Sequence, residues 1–322
     1  MAPSLLALLA FVLAAPQPSQ GAPAPVAVRE SYLRAEDHRV AQVVHRLATR
    51  GAAHCGAPHP LTGIALHHLD DYAEADQAEA ARQFGIDKGP GVLSVVGGSP
   101  AAQAGVRAGD VLLSVNGTLL PKSASGPRRR KTRQLAEETD TIVEAQGRTG
   151  TLNLELLRDG QRLTYVLRPV LGCAARGRLA RSNQPNAFAD GRYAIMTTRM
   201  LDFVAGEDEL AVVMAHELAH NLLGHPQRLD AQNVPHGILR GFGKNAGRVR
   251  VTEEEADRLS LKLLWAAGYD VSAAIPFWRR LYARYDPIPI PKFMRTHPSL
   301  GARERMIKRA IEELGARPPA GG

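Results

Sequence analysis

The pentapeptide His216-Glu217-Leu218-Ala219-His220 holds two imidazoles four positions apart with a carboxylate between them. On a helix that spacing puts both rings on one face, one turn apart, so both can chelate a single ion. Neutral imidazole suits zinc, and a catalytic zinc takes three protein ligands while a fourth position stays open to water. Glu217 follows the first histidine, where its carboxylate reaches the attacking water rather than the ion. It then serves as general base, while the metal acidifies the water and polarises the carbonyl under attack. The pattern is short, and a histidine-bearing amphipathic helix can produce it by chance, so a third ligand decides the matter.

Metzincins place that ligand, a histidine, ten residues after the first, with a glycine at the seventh. Those positions here are Pro226 and Leu223, and Gly224 and His225 are each one out of register. His225 therefore reads as a helix-end residue. A glutamate on a later helix is the other solution, and Thr252-Glu253-Glu254-Glu255-Ala256-Asp257 offers one. Thr252 suits an N-cap. The three glutamates cannot all face one ion, because successive helical residues point about 100° apart. By itself the run also reads as acid placed favourably at a helix N-terminus.

A length of 322 residues, 44% of them hydrophobic, can supply two separate cores. Leu5 to Ala15 is an unbroken apolar run, too short to span a bilayer and of signal-peptide size, so residues 1–22 are expected to be a signal peptide. Val26 to Thr49 has apolar residues at helical spacing and stops at Gly51, so residues 26–56 are read as an N-terminal helical segment packing on the catalytic domain. Residues 60–170 change grammar to short β-rich runs. Gly91 to Val96 and Asp110 to Gly117 read as strands, and Thr151–Leu157 with Arg162–Leu167 as a hairpin about Asp159-Gly160. From 174 to 322 the chain is mainly helical after one strand, Arg192 to Thr198. Helices are expected over Glu207–Leu223, Thr252–Ala267, Ser272–Tyr285 and Leu300–Leu314.

Two resemblances rest on these residues. Ser99-Pro100-Ala101-Ala102, Ala104-Gly105, Ala108-Gly109-Asp110 and Asn116-Gly117 resemble a bacterial PDZ domain, with the basic segment 121–134 as an insertion before the helix that flanks the peptide groove. In that family a peptide adds a strand to a sheet edge and its carboxylate meets backbone N–H groups of a loop, which by position would be Lys88 to Gly91. The second resemblance is to the HtpX, Oma-type and CaaX prenyl peptidases, whose Glu-x-x-Ala-Asp helix matches Glu253 to Asp257. It implies that Glu253 is the third zinc ligand and that Asp257 accepts a hydrogen bond from a ligating histidine. Glu254 and Glu255 are left without a role. The resemblance extends to Asn186-Ala-Phe-Ala189, whose following strand would take the substrate, and to Thr296-His297-Pro298 with Arg303 downstream. His297 would stabilise the oxyanion or occupy zinc's open position at rest. Asp190-Gly191 stands where relatives often have a different turn, and no later segment reads as a membrane helix, so a soluble periplasmic relative fits better than a membrane-embedded one.

The two cysteines, Cys55 and Cys173, invite one disulfide in an exported protein, the alternative being two buried thiols. The net charge of +8 concentrates in Arg128, Arg129, Arg130, Lys131 and Arg133, where no aromatics are interleaved for base stacking, so a solvated loop is expected and a nucleic-acid partner is not. The expectation is an α+β protein: a mainly helical, gluzincin-like metallopeptidase domain with a small edge-strand sheet, plus a β-rich PDZ domain. It would hold one Zn²⁺ per chain and cut extended or misfolded protein substrates in the periplasm or outside the cell, and its PDZ domain would bind a C-terminal peptide. The alternative is a PDZ-containing, zinc-retaining chaperone-like binding protein with little proteolytic activity.

Overall fold

The computed structural model describes residues 26–122, 132–234, 244–285 and 299–314. The segment expected to be a signal peptide, most of the basic insertion, and His297 lie outside the described residues.

Helix α1 (Val26–Arg50) buries Val40, Val43, Val44, Leu47 and Ala48, an apolar stripe at the spacing of one helical face. It stops at Gly51, where an added Cβ would meet the Leu47 carbonyl oxygen and a Leu263 methyl, each at 2.5 Å. That close approach seats the end of α1 against Leu263 of the mainly helical C-terminal half.

Strands β1 (His59–Leu61) and β2 (Ile64–His67) lead to helix α2 (Glu74–Phe84). There follow β3 (Gly91–Val95), α3 (Pro100–Ala104), β4 (Val111–Val115), β5 (Thr118–Leu119), α4 (Thr132–Gly147), β6 (Leu152–Arg158) and β7 (Gln161–Leu167). One antiparallel sheet runs in the order β2-β3-β4-β6-β7, with β5 paired to β4. Its inner face packs Val92, Leu112, Val115, Leu152, Leu154 and Leu156 into a core of its own. The β6–β7 hairpin turns at Asp159 and Gly160, both at positive φ, the conformation that a tight two-residue turn requires. Buried Asp110 is paired with Arg158 at 2.6 Å, which holds the β4 end of the sheet to the hairpin. Helix α2 was not read from the sequence, because it buries only Ala80 and so shows no apolar stripe.

Strand β8 (Val170–Gly172) returns to pair with β1, and beside that tie Cys55 and Cys173 form a disulfide with Cα atoms 5.4 Å apart. The second unit opens with β9 (Gly177–Ala180), β10 (Ala187–Ala189) and β11 (Ala194–Thr197), ordered β10-β11-β9. Helices α5 (Thr198–Leu201), α6 (Glu207–Leu222), α7 (His225–Ala231), α8 (Lys244–Ala266), α9 (Ala274–Tyr285) and α10 (Leu300–Leu314) complete it. Helix α6 is buried from Glu209 to His220 and forms the centre of the larger core, packed by α1, α8 and β11. No helix among the described residues is long and apolar enough to cross a membrane.

The helix expected to begin at Thr252 begins at Lys244, so Thr252 is no N-cap. Its hydroxyl donates to the Val249 carbonyl inside the helix at 2.7 Å. Of the extra turns' two valines Val249 is buried and Val251 exposed, so they show no apolar stripe and helical spacing fails to reveal them.

Candidate metal centre

Helix α6 presents His216, Glu217 and His220 from within the core, and α8 crosses it with Glu253, Glu255 and Asp257. His216 Nε2 and His220 Nε2 lie 3.1 Å apart. The Glu253 carboxylate stands 3.3 Å from His216 Nε2 and 3.5 Å from His220 Nε2. All three residues are buried, and their donor atoms fall within 4.8 Å of one another. An ion bound tetrahedrally at about 2.0–2.1 Å separates its ligand atoms by roughly 3.3–3.4 Å. The observed separations bracket that value, so this donor set fits zinc.

Each histidine is held from behind. His216 Nδ1 lies 2.9 Å from Asp257 Oδ1, and Asp257 Oδ2 accepts from Arg303 Nε at 2.8 Å. Arg303, on α10, is buried, stands 3.6 Å from Glu253, and stacks its guanidinium 3.8 Å from the Trp278 ring centre. Although burial opposes ionisation, Arg303 and His216 hold the Asp257 carboxyl below its ordinary value. On the other side, His220 Nδ1 lies 2.8 Å from His225 Nδ1, and His225 Nε2 lies 3.0 Å from Glu255, which pairs with Arg228. Burial keeps the pKa of His225 below that of an ordinary histidine.

His225 is the helix-end residue the sequence suggested, and the structure adds its contact with His220; leaving Glu255 without a role is corrected here. Gly224 adopts φ 62°, a left-handed turn after α6, and sends the chain back into α7 with fully buried His225 as its first residue. The signal available in the sequence was a glycine followed at once by histidine and proline, which marks a reversal. Glu254, by contrast, pairs with Arg258 at the surface.

Glu217 accepts from the Ala189 backbone N–H, which places its carboxylate against β10. Burial, reinforced by nearby Glu253, pushes its pKa up to about 7. The strand expected to take substrate, Arg192 to Thr198, is β11, and it cannot do so: it is the central strand, hydrogen-bonded to β10 on one side and β9 on the other. Among the described residues, the open edge facing Glu217 belongs to β10, the Ala187-Phe-Ala189 segment itself, with Phe188 partly exposed. The turn after it is tied to α6 by Asn221, whose side-chain oxygen accepts from the Gly191 N–H at 2.8 Å.

The PDZ-like sheet needs a similar correction. The loop Lys88 to Gly91 leads into β3, which is an inner strand, and Pro90 already accepts from the Leu112 N–H. Among the described residues the edges of this sheet are β2 and β7, and β2, headed by Thr62 and Gly63, is the one beside α4. Between β2, α4, α1 and the β9 edge lies a cavity of about 630 Å³, with Val44, Ile64, Leu66, Val143, Leu179 and Ile195 among its walls. Arg176 reaches from beside β9 to Asp140 at 3.1 Å and to Glu144, and Arg178 reaches Asp71 at 3.1 Å, joining the two units around the cavity.

Comparison with known proteins agrees with both halves of this arrangement. Residues 176–243 and 246–311 match peptidase family M48, and residues 91–125 match the PDZ domain. The mitochondrial metalloendopeptidase OMA1 of Schizosaccharomyces pombe is 31% identical over 153 residues, 41% of this chain and 45% of that protein. The beta-barrel assembly-enhancing protease of Escherichia coli O157:H7 is 28% identical over 151 residues, 37% of this chain and 31% of that protein. Each alignment thus spans less than half of the relative's length. Among solved structures, the HtrA3 PDZ domain bound to a phage-derived ligand aligns with 36% of this chain and 89% of its own, at 22% identity and a TM-score of 0.25. The chain carries a PDZ domain followed by a metallopeptidase domain of family M48.

Proposed function

We propose that this protein is a zinc-dependent endopeptidase that hydrolyses extended segments of protein chains, with His216, His220 and Glu253 as the zinc ligands and Glu217 as the general base. One observation carries the reading: the three donors converge at zinc-like separations while Glu217 is held against the open β10 edge. When bound, zinc supplies a Lewis acid that polarises the scissile carbonyl and acidifies the attacking water.

A substrate strand pairs with β10, which sets its scissile bond above α6 and beside Glu217. Glu217 then takes the water's proton and passes it to the departing amine nitrogen, a role that suits a carboxyl tuned near neutrality. Asp257 and His225 keep the two histidines oriented with Nε2 toward the substrate side. The PDZ edge β2 and helix α4 form the groove for a peptide with a free carboxylate. That groove opens on the cavity shared with β9, so a tethered substrate stays close to the catalytic domain. The Cys55–Cys173 disulfide supports an oxidising, exported setting such as the periplasm.

The test is metal analysis joined to digestion of an unfolded protein. The wild type is expected to carry one zinc and to lose digestion on chelation. Glu217→Gln is expected to keep its zinc and lose roughly 10²–10⁴-fold in rate, and Glu253→Ala to lose both. If Glu217→Gln cuts as fast as wild type at equal zinc content, the catalytic assignment is wrong and a zinc-retaining, chaperone-like binding protein becomes the better reading.

A further inference from the structure

We infer that His225 is the positioning residue that sets the tautomer of His220, through a relay running from Arg228 by way of Glu255. The inference rests on the zinc reading of the site and adds a residue that the His-Glu-x-x-His pattern does not contain.

The proton positions follow from the contacts. Glu255 is paired with Arg228 at 2.5 Å, so its carboxylate is ionised and accepts only. His225 Nε2 lies 3.0 Å from that carboxylate and must therefore carry the ring's hydrogen. In a neutral imidazole the other nitrogen, Nδ1, is then a lone pair. It faces His220 Nδ1 at 2.8 Å, and two lone pairs at that distance would repel, so His220 Nδ1 carries a hydrogen and donates it. His220 Nε2 is left with its lone pair directed at Glu253 and His216, the form a metal ligand needs. The ring geometry agrees: the two imidazoles meet edge to face at 4.9 Å, and His225 is fully buried, so water cannot replace it as the acceptor.

This relay differs from the usual backing of a ligand histidine by a carboxylate or a carbonyl, because a second imidazole stands between ligand and acid. It gives three side chains on α7 and α8 a joint role in holding one ligand on α6. Removing the acceptor nitrogen frees His220 to take the opposite tautomer, in which Nε2 bears the hydrogen and cannot ligate.

The experiment compares zinc affinity, by chelator competition, in the full chain carrying His225→Phe, His225→Asn and His225→Gln. It adds ¹⁵N NMR of the histidine rings in the zinc-loaded wild type. Phenylalanine keeps the ring volume and removes both nitrogens, and it is expected to weaken zinc binding about 10–100-fold. Asparagine places an acceptor oxygen near the Nδ1 position and is expected to recover most of that loss, whereas glutamine, which reaches toward Glu255 instead, is not. The wild-type spectrum is expected to show His220 protonated at Nδ1. Zinc affinity in His225→Phe within about twofold of wild type overturns the inference, given the loss expected for a broken outer partner; so does a wild-type His220 bound through Nδ1. Should His225→Phe fail to fold, equal affinities of the asparagine and glutamine variants overturn it. A wild type that binds no zinc would instead remove the reading of the site on which the relay rests, which keeps the two failures distinct.

Discussion

The two α6 histidines proposed as zinc ligands are backed by arms of the same logic and different surroundings. Behind His216 stand Asp257 and Arg303, all three closed inside the helical core under Trp278. Behind His220 stand His225, Glu255 and Arg228, an arm that begins fully buried and ends half in solvent, with side-chain exposures of 34% for Glu255 and 39% for Arg228. In a dry site a charge left without its partner is costly, whereas at the surface water and salt take the partner's place. The first arm is therefore part of what holds the fold together, and the second chiefly positions a ring. Similar hydrogen bonds carry unequal energies because of where their far ends lie.

The sharpest way to break the comparison is to cut each arm at its far end. Arg303→Met removes the buried cation beside Asp257 and Glu253, and it is expected to cost about 3–5 kcal/mol in urea unfolding. A loss no larger than that of a surface arginine would show the first arm to be no more structural than the second.

Glu217 lies between the arms, and its raised pKa makes a testable contribution to stability. A carboxyl whose folded pKa is raised stabilises the fold while it is protonated. That contribution is fully present below the ordinary glutamate value and is lost as pH rises through about 7. Chelator-treated Glu217→Gln is therefore expected to be more stable than chelator-treated wild type at pH 8, by on the order of 2–3 kcal/mol, and to converge with it near pH 5. Parallel stability curves for the two proteins across that range would remove the claim that burial tunes this carboxyl.

Asp257 has the opposite sign. Its folded pKa is depressed, so its contribution is present above the ordinary aspartate value and is lost as pH falls through the folded one. Asp257→Asn should therefore flatten the acid limb of stability below about pH 4. The corresponding cut in the second arm, Glu255→Gln, is expected to cost less than about 1 kcal/mol, because the Glu255–Arg228 pair is partly exposed. Its main effect should be a several-fold weaker hold on zinc. If Glu255→Gln unfolds the protein as readily as Arg303→Met, the distinction between the arms fails.

Much of the site was open to reading before any coordinates, because helical periodicity converts sequence spacing into facing geometry. His216, Glu217 and His220 share one helix, and Asp257 follows Glu253 by one turn on another, so each pair's relation is local. The strands about Asp159-Gly160 were equally legible, since their turn chemistry is local as well. The failures involved contacts between elements. Reading β11 as the substrate edge confused a strand with its place in a sheet, and nothing in Arg192 to Thr198 says that both of its sides are already paired. Likewise the loop at Lys88 reads as a carboxylate cradle until β3, into which it leads, proves to be an inner strand.

Sequence by itself determined the donor types, their helical register, the two-domain grammar and the cysteine pair available for a bridge. Spacing left three adjacent glutamates open and the family resemblance pointed to Glu253, which the structure places beside the two histidines; the tertiary structure alone decided that Gly224 turns His225 back onto His220 and that Arg303 reaches Asp257 from α10. The physical reason is the range over which each signal acts. Periodicity and turn chemistry operate within a few residues, but the partner of a buried polar group is whichever atom the packing of distant helices brings within 3 Å or so.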